Sequence, residues 1–298
     1  MYDLEIEGYE DYDNEDFFKS KSNSIKRYNV ILIDEIQDYK QSWLNLVVNY
    51  FSHSNTEIVV FGDEKQNIYD RELDENKEIK ITGISGKWNK SLNKSFRFNN
   101  KIADLAVGFQ KKFLSNKYVL DNVVIQQELD FGSPIMDYYK INFESEKIIG
   151  FIFDMLNGYN IHSNDIAILS DKISLLRDVE YSIRELYKED TMITFETIEE
   201  YKGLEKINKL NKENIDKIRR AKKVAFWLNS GTMKLSTVHS FKGWEAHTVF
   251  LFIDDKSNDE LIYTGITRAR QNIVIINFGN MKYHDFFIKH MKVIRDEF

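Results

Sequence analysis

Short runs of β-branched and other apolar residues recur along the chain, and several of them end in polar residues. The runs cover residues 29–34, 57–63, 165–170, 233–238, 247–253 and 272–277. Near-continuous apolar strands of this kind are typical of a parallel sheet that is covered on both faces. The stretches 99–114 and 147–156 instead place apolar residues three and four positions apart, which predicts helices. The alternation predicts an α/β fold with right-handed crossovers, in which ligands lie at the carboxyl ends of the strands.

Residues 196–223 break this alternation. The segment is charged, has a helical period and contains few β-branched residues apart from isoleucine. It predicts a helical insertion between two strands. Its end carries four basic residues, Arg219, Arg220, Lys222 and Lys223. Such a cluster fits either a solvated helix face or a helix that contacts nucleic acid or a protein partner.

The composition narrows the class of protein. Of 298 residues, 42% are hydrophobic and 30% are charged, which supports about two domains and excludes a chain that is disordered throughout. The absence of cysteine excludes disulfides, thiolate metal sites and a cysteine nucleophile, and fits a cytoplasmic location. The apolar run at 148–156 is too short to span a bilayer, and the acidic N-terminus is not a signal peptide. A net charge of −7 neither predicts nor excludes nucleic-acid binding, because local patches decide it.

The first chemical signal is the string DEIQD at residues 34–38, directly after the first apolar run. It places two adjacent carboxylates, Asp34 and Glu35, at the carboxyl end of a predicted strand. One carboxylate can hold Mg²⁺, directly or through water, and the next can orient and deprotonate an attacking water. Gln37 and Asp38 follow on the turn. The alternative is a strand that ends in a solvated acidic turn.

The second signal is the string GDEKQNIY at residues 62–69, which closes the next apolar run. The side-chain amide of Gln66 can hydrogen-bond a γ-phosphate or the attacking water without adding charge. Tyr69 is a candidate for stacking on a nucleic-acid base, an interaction that tolerates any sequence. Alone this string would be an ordinary turn. Its place shortly after DEIQD makes the pair specific.

Together the two strings resemble motifs II and III of the UvrD/Rep-like superfamily 1 DNA helicases. Three further stretches agree with that family in order. Residues 92–106 resemble motif IV, residues 235–251 resemble motif V and residues 261–276 resemble motif VI. The resemblance therefore extends over residues 31–276, which is most of the chain.

The resemblance implies parallel-sheet, RecA-like domains of the P-loop NTPase type. ATP and Mg²⁺ would bind in the cleft between two such domains, and single-stranded DNA would run across both. Residues 1–90 would be a remnant of the first domain, with motifs II and III. Residues 91–298 would be the second domain, with motifs IV to VI and the helical insertion near 196–223.

The resemblance also assigns roles to individual residues. Asp34 would be the Mg²⁺-linked aspartate and Glu35 the catalytic glutamate, while Gln66 would sense the γ-phosphate. Arg97 of motif IV and Arg268 of motif VI would reach across the cleft. Cations of one lobe would then neutralise charge on a phosphoryl group held by the other lobe, which couples hydrolysis to closure.

The remaining expected contacts divide between nucleotide and DNA. The residues expected to contact the nucleotide are Gln37, Gly243 and Glu245, the last of them at the ribose. The residues expected to contact the DNA are Tyr69, Thr237, His239 and Lys242. His239 has the plainer interpretation of a hydrogen-bonded core histidine. Trp88 and Trp244 are more typical of packing residues than of base-stacking platforms.

The two arginines have plainer interpretations as well. Arg97 would then cap a surface helix. Arg268 and Arg270 would pair with acidic residues across helix turns, namely Asp259 and Glu260.

The sequence departs from the family in one large respect. The family opens with a phosphate-binding loop, G-x-x-x-x-G-K-[ST], and these 298 residues do not contain one. The nearest string, GISGKW at residues 83–88, lacks the hydroxyl residue after Lys87 and predicts a turn. Without the loop nothing cradles the β- and γ-phosphates. The chain is therefore expected to begin inside the first RecA-like domain.

A smaller departure lies in motif III. Arg71 stands where many relatives place a tryptophan that stacks on DNA, and an arginine there would stack by a cation–π contact.

The sequence thus predicts a portion of an ATP-dependent 3′→5′ DNA helicase or translocase, which couples ATP hydrolysis to movement on single-stranded DNA. The isolated chain is expected to be inactive, because the phosphate loop is absent. Two alternatives stay open. One is a non-catalytic nucleic-acid-binding or regulatory helicase-like module. The other is one half of a split helicase, in which a partner polypeptide supplies the loop.

Overall fold

A computed structural model describes residues 13–86, 88, 94–95, 99–120, 124–125 and 133–294, with backbone alone for 94–95 and 124–125. The chain divides into two compact units. The first contains Met1–Leu92 and Ser115–Asp121, and the second contains Asn93–Leu114 and Asn122–Phe298. Residues 115–121, which the sequence analysis assigned to the second domain, thus belong to the first unit.

Most of the helices connect one strand to the next along the chain. The α-helices are α1 (Glu15–Ser20), α2 (Gln41–Leu46), α3 (Asn100–Phe109), α4 (Ser145–Tyr159), α5 (Ile173–Ser182), α6 (Ile198–Lys206), α7 (Lys212–Ala225), α8 (Val238–Phe241), α9 (Asp259–Ile266) and α10 (His284–His290). Helices α2, α3 and α5 continue into π-helical turns at Val47–Phe51, Gln110–Leu114 and Ile183–Tyr187. Short 3₁₀ turns lie at Ile36–Asp38, Glu64–Gln66 and Ser163–Asp165.

The strands pair in parallel throughout the named sheets. They are β1 (Tyr28–Ile33), β2 (Ser52–Val60), β3 (Lys94–Ser95), β4 (Val124–Ile125), β5 (Met136–Lys140), β6 (Ile166–Ser170), β7 (Thr191–Ile193), β8 (Met233–Thr237), β9 (Ala246–Ile253), β10 (Ala269–Asn277) and β11 (Lys292–Val293). In the described part of the chain, a seven-stranded sheet runs in the order β11-β5-β10-β9-β6-β8-β7, beside the pairs β1-β2 and β3-β4. All six predicted apolar runs are strands, and the predicted α/β fold is confirmed.

The large sheet is buried on both faces, as its apolar runs require. One face packs on α4 and α5, where Ile152, Val179 and Phe250 belong to one buried cluster. On the opposite face, aromatic rings from α3 and α10 stack on the sheet, with the Tyr138 and Phe287 rings 5.5 Å apart. Strand residues two apart point to the same face, so a continuous apolar run supplies both layers.

The first unit is smaller and is covered on one face. Strands β1 and β2 pair from Tyr28↔Ser52 to Ile33↔Val60. Residues Ile33, Ile36 and Leu44 form a cluster that packs this sheet on α2. On the other face of β1, the side chain of Leu32 is 66% exposed. Burial on both faces, which the apolar pattern predicts, is therefore found in the large sheet and not in β1.

The segment 196–223 forms helices α6 and α7 between β7 and β8. Helix α6 begins with a capping box, in which Thr197 and Glu200 exchange side-chain-to-backbone hydrogen bonds. The Arg219 guanidinium donates to both carboxylate oxygens of the fully buried Glu196, at 2.6 and 3.0 Å. Lys222 pairs with Glu200 at 3.2 Å. Two of the four basic residues are therefore paired within the segment itself, and Arg177 of α5 lies 3.5 Å from the same Glu196 carboxylate.

Lys234 on β8 is a buried cation with a measurable consequence. Its ammonium donates to the backbone oxygen of Asn164 and, at 2.8 Å, to the Asn164 side-chain oxygen. Burial lowers the pKa of Lys234 to about 8 from its usual value of 10.5, against the opposing charge of Asp165. Between these values the unfolded chain binds more protons than the folded one, so stability rises with pH.

We expect Lys234→Met to remove this pH dependence. The unfolding free energy of the unmodified chain should rise relative to that of the variant by about 1–3 kcal/mol between pH 7.5 and 10, at about 1.4 kcal/mol per unit of pKa shift. Denaturant unfolding of both proteins at several pH values measures the difference in unfolding free energy. The titration of groups that both proteins share cancels in this difference. A constant difference across this range would contradict the assignment of the low pKa to Lys234.

Within the described residues, the structure contains no helix that is both long enough and apolar enough to cross a bilayer.

Candidate functional site

The strands β1 and β2 end side by side, which brings the DEIQD and GDEKQNIY strings together. The Phe61 N–H donates to the Ile33 carbonyl at 2.8 Å, and the Ile36 N–H donates to the Phe61 carbonyl at 2.9 Å. The ladder therefore continues one step beyond both strands. The polar residues that follow each strand consequently meet at the carboxyl edge of this parallel pair.

The first turn places two carboxylates at this edge. Glu35 has a positive φ of 52°, a conformation that few residues other than glycine adopt. Its N–H donates to the exposed Asp34 carboxylate at 2.9 Å. Its own carboxylate accepts a hydrogen bond of 2.5 Å from the Gln37 amide. After this sharp turn the Asp34 side chain is exposed, whereas the Glu35 carboxylate is held by its hydrogen bond from Gln37.

Gln37 connects the two turns. Its side chain is fully buried. Its Nε2 donates to Glu35, and its Oε1 accepts the Asp63 N–H at 3.2 Å. The sequence analysis expected Gln37 to contact a nucleotide. In the structure both ends of its amide are engaged with protein groups, which links the Glu35 carboxylate to the Asp63 backbone, and the nucleotide contact stays a prediction.

Gly62 makes this approach sterically feasible. A Cβ at this position would lie 2.4 Å from Gln37 Oε1 and 2.7 Å from Ile36 Cγ2. Both distances are far inside van der Waals contact, so only glycine fits here without displacement of the Gln37 side chain. The signal for this residue was present in the sequence as the Gly-Asp pair that ends the second run.

Asp63 and Lys65 form an ion pair beneath the motif III turn. The Lys65 ammonium, only 1% exposed, lies 2.9 Å from the Asp63 carboxylate and 3.8 Å from Glu64. Burial by itself would raise the pKa of Asp63, but the charge and hydrogen bonds of Lys65, with a bond from Gln66, lower it. The Gln66 amide donates to Asp63 at 3.1 Å. Asp63, to which the sequence analysis gave no role, therefore orients Gln66.

Arg71 and Tyr69 follow on the same loop. The Arg71 guanidinium lies 5.6 Å from the centre of the Tyr69 ring and donates to the Asp38 carbonyl at 3.0 Å. Burial, together with the charge of Asp38, raises the pKa of Tyr69, against the effect of Arg71. The Tyr69 ring is 45% exposed, which leaves area for stacking. Arg71 makes its cation–π contact within the chain, to Tyr69, and its expected stacking on DNA stays a prediction.

In the second unit, the motif V residues surround the short helix α8. Thr237 precedes it, and its hydroxyl accepts the Ser240 N–H at 3.1 Å. Thr237 is buried, whereas His239 and Lys242 are half-buried. Gly243 has a φ of +86°, and a Cβ there would meet no heavy atom within 4 Å. The space beside Gly243 is thus open, and its glycine is required by the backbone conformation.

Glu245 and Arg270 form an ion pair on the surface, with 3.4 Å between Glu245 Oε1 and Arg270 Nε. The plainer expectation, that Arg270 pairs with Asp259 or Glu260, is thus not what the structure has. Asp259 instead pairs with Lys282 at 2.6 Å.

Arg268 is buried within the second unit and is only 1% exposed. Its guanidinium donates to the carbonyl of Thr264 at 3.2 Å, to the carbonyl of Trp244 at 3.4 Å and to the Thr267 hydroxyl at 3.1 Å. These bonds join the end of α9 to the turn before β9. The predicted role of Arg268 at a phosphate stays a prediction. Arg97 lies outside the described residues.

The carboxylates at the edge of β1 suit Mg²⁺. Mg²⁺ is usually bound by one or two carboxylates together with water and substrate phosphates. Asp34 offers one exposed carboxylate and Glu35 a second. Within the described ranges, no cluster of three or more His, Cys, Asp or Glu side chains is placed to hold a metal. The donor set therefore matches a metal ion that arrives with a phosphate ligand.

Two family models match the chain. The model described as the UvrD/REP helicase N-terminal domain matches residues 13–78, and the model described as the UvrD-like helicase C-terminal domain matches residues 233–276. The first match contains the β1–β2 junction, and the second contains α8, β9, α9 and most of β10. The two matches cover the stretches that resemble motifs II, III, V and VI, whereas residues 92–106, which resemble motif IV, lie outside both.

A comparison with curated proteins gives no significant match. Among solved structures, the chain is similar to the crystal structure of the C-terminal domain of a possible DNA helicase from Lactobacillus plantarum WCFS1. The two share 14% identity with a TM-score of 0.40, over 67% of this chain and 98% of that one. At that score the likeness does not establish a shared fold by itself.

Proposed function

We infer, from the motifs and from both family-model matches, that these residues form part of a UvrD-like, ATP-dependent 3′→5′ DNA helicase or translocase. Such a protein couples ATP hydrolysis to movement along single-stranded DNA. The observation that carries the proposal is the junction of β1 and β2. There Glu35, Gln37 and Asp63 form one hydrogen-bonded chain that also orients Gln66.

In this proposal Asp34 holds Mg²⁺, directly or through water. The bound Mg²⁺ would supply charge neutralisation at the β- and γ-phosphates of ATP. Glu35 orients and deprotonates the attacking water, and the amide bond from Gln37 keeps its carboxylate in place. The Gln66 amide reports on the γ-phosphate, and its bond to Asp63 sets its direction. Positioning of this kind supplies much of the rate in phosphoryl transfer.

The second unit would contribute cations and contacts to the base and sugar. Arg97 and Arg268 would neutralise charge on the γ-phosphate as the nucleotide is enclosed, and Gly243 and Glu245 would approach the nucleoside. The residues proposed for single-stranded DNA are Tyr69, Thr237, His239 and Lys242. Backbone phosphates are their main target, so the binding would be independent of sequence.

A split enzyme is the second candidate, and the missing phosphate loop favours it. Lys65 lies on the turn that follows β2, and it is already paired with Asp63 and Glu64. It therefore does not replace the lysine of a phosphate loop. A partner polypeptide that supplies the loop would complete the site of Asp34 and Glu35.

The 298-residue chain alone should not hydrolyse ATP above background, because no backbone cradle or loop lysine holds the β- and γ-phosphates. Phosphate release measured with and without a thymidine oligonucleotide checks this, with Glu35→Gln as the control for contaminating activity. A DNA-stimulated turnover of about 1 s⁻¹ that Glu35→Gln abolishes would show that the phosphates bind without the loop.

A further inference from the structure

The end of helix α7 carries an exposed stripe outside the five motifs. Arg220, Lys223 and Val224 lie at the spacing i, i+3 and i+4 that places side chains on one helix face, and Trp227 follows two residues after the helix ends. The side chains of Val224 and Trp227 are 84% and 62% exposed. Trp227 lies just beyond the last helical residue, Ala225. A tryptophan this exposed is unusual, since its large ring is normally well buried.

A second exposed tryptophan lies close to this stripe. Phe226, which is buried, has its ring 6.2 Å from the ring of Trp244 and 6.2 Å from that of Phe241. Trp244 is itself 38% exposed. The buried ring therefore anchors the end of α7 to the turn after α8. That turn also carries Lys242.

The charge around the stripe is positive. Arg219 and Lys222, on the neighbouring face of α7, are paired with Glu196 and Glu200. The pKa of Lys223 is lowered, first by its partial burial and then by the charges of Arg219 and Arg220, against the opposing effect of Asp216. The cations thus repel one another at this end of the helix. An anion bound there would relieve that repulsion.

We propose that Trp227 and Trp244 form a base-stacking platform for single-stranded DNA, with Arg220, Lys223 and Lys242 at its phosphates. The proposal rests on the proposed function, since it adds a contact surface from the helical insertion to the motif V residues. Exposed aromatic rings beside cations match a strand that offers both stacking faces and phosphates. A protein partner would be matched by the apolar rings but would not need the cluster of cations.

Affinity measurements on the full chain test the platform. A fluorescently labelled thymidine oligonucleotide is titrated with the unmodified chain, with Trp227→Ala and with Tyr159→Ala, a control for the loss of another exposed ring, 54% exposed, on α4. Trp227→Ala should weaken binding about 5- to 150-fold, the loss expected for one stacked base. Tyr159→Ala should change it less than twofold. Thermal unfolding should be unaltered in both, because both side chains are exposed.

Two further variants separate stacking from charge. Trp227→Phe keeps an aromatic ring, so it should restore most of the affinity, and it should reduce the quenching of indole fluorescence by bound DNA to the share that Trp244 contributes. Lys223→Gln should lower the dependence of log affinity on log salt by about 0.7, the value for one phosphate contact on a single strand. Trp227→Ala should leave that slope unchanged.

The outcomes distinguish this proposal from the one on which it rests. If His239→Ala weakens binding and Trp227→Ala does not, the platform is wrong and the motif V contacts stand. If the unmodified chain binds no oligonucleotide at low salt, both proposals are overturned.

Discussion

Arg268→Ala should lower the unfolding free energy by about 2–4 kcal/mol. The side chain is almost fully buried, and it donates to the carbonyls of Thr264 and Trp244 and to the Thr267 hydroxyl. Its removal leaves buried acceptors without this donor, at about 1–3 kcal/mol, and opens a cavity, which adds to the loss. Denaturant unfolding of the variant and the unmodified chain measures the change.

Arg270→Ala is the matched control for this loss. Arg270 lies two residues away, is 61% exposed and makes a surface ion pair with Glu245. Its removal should change the unfolding free energy by about 0.5 kcal/mol or less. Equal effects of the two substitutions would mean that Arg268 does not join α9 to the turn before β9.

Gly62→Ala should destabilise the first unit by about 1–3 kcal/mol, the usual range for an overpacked site. The new methyl group would overlap Gln37 Oε1 and Ile36 Cγ2. Gln37 cannot move aside cheaply, because its amide is buried and bonded to Glu35 and to the Asp63 backbone. The substitution would therefore also weaken the hydrogen bond that Gln37 donates to the Glu35 carboxylate.

Gly158→Ala is the control of opposite sign. Gly158 lies inside α4, and a Cβ there would meet no heavy atom within 4 Å. Alanine should therefore stabilise the protein by up to about 1 kcal/mol through its helix propensity. Thermal unfolding of both variants gives the comparison. A Gly62→Ala protein as stable as the unmodified chain would show that the two turns do not approach as closely as described.

The sequence predicted the strands well because burial and periodicity act locally. Runs such as HTVFLFI contain no polar residue at alternate positions near the centre, so they specify a strand buried on both faces without knowledge of their neighbours. Strand β5, with the sequence MDYYK, was missed. Its Asp137 and its two tyrosines alternate with no clear apolar face, and it becomes a strand by pairing with β10.

The sequence predicted which residues belong to the candidate site, but it did not predict their hydrogen bonds or their burial. The strings that carry Asp34, Glu35 and Gln66 follow predicted strands, and the structure brings them to one edge of the sheet. The hydrogen bonds of Gln37 depend on the register of β1 against β2, which no local pattern encodes. The burial of Arg268 depends in the same way on the packing of α9 beside β9. Its motif position predicted a guanidinium that reaches across a cleft and did not indicate these bonds.

The most direct test of the central claim, that the chain is part of a DNA-translocating helicase, is the affinity for single-stranded oligonucleotides of several sequences between low and moderate salt. The account predicts weak binding that is similar for all sequences. It also predicts that log affinity falls linearly with log salt, by about 0.7 per phosphate contacted. Binding that ignores salt, or that selects one sequence strongly, would contradict the assignment of this chain to a DNA-translocating motor.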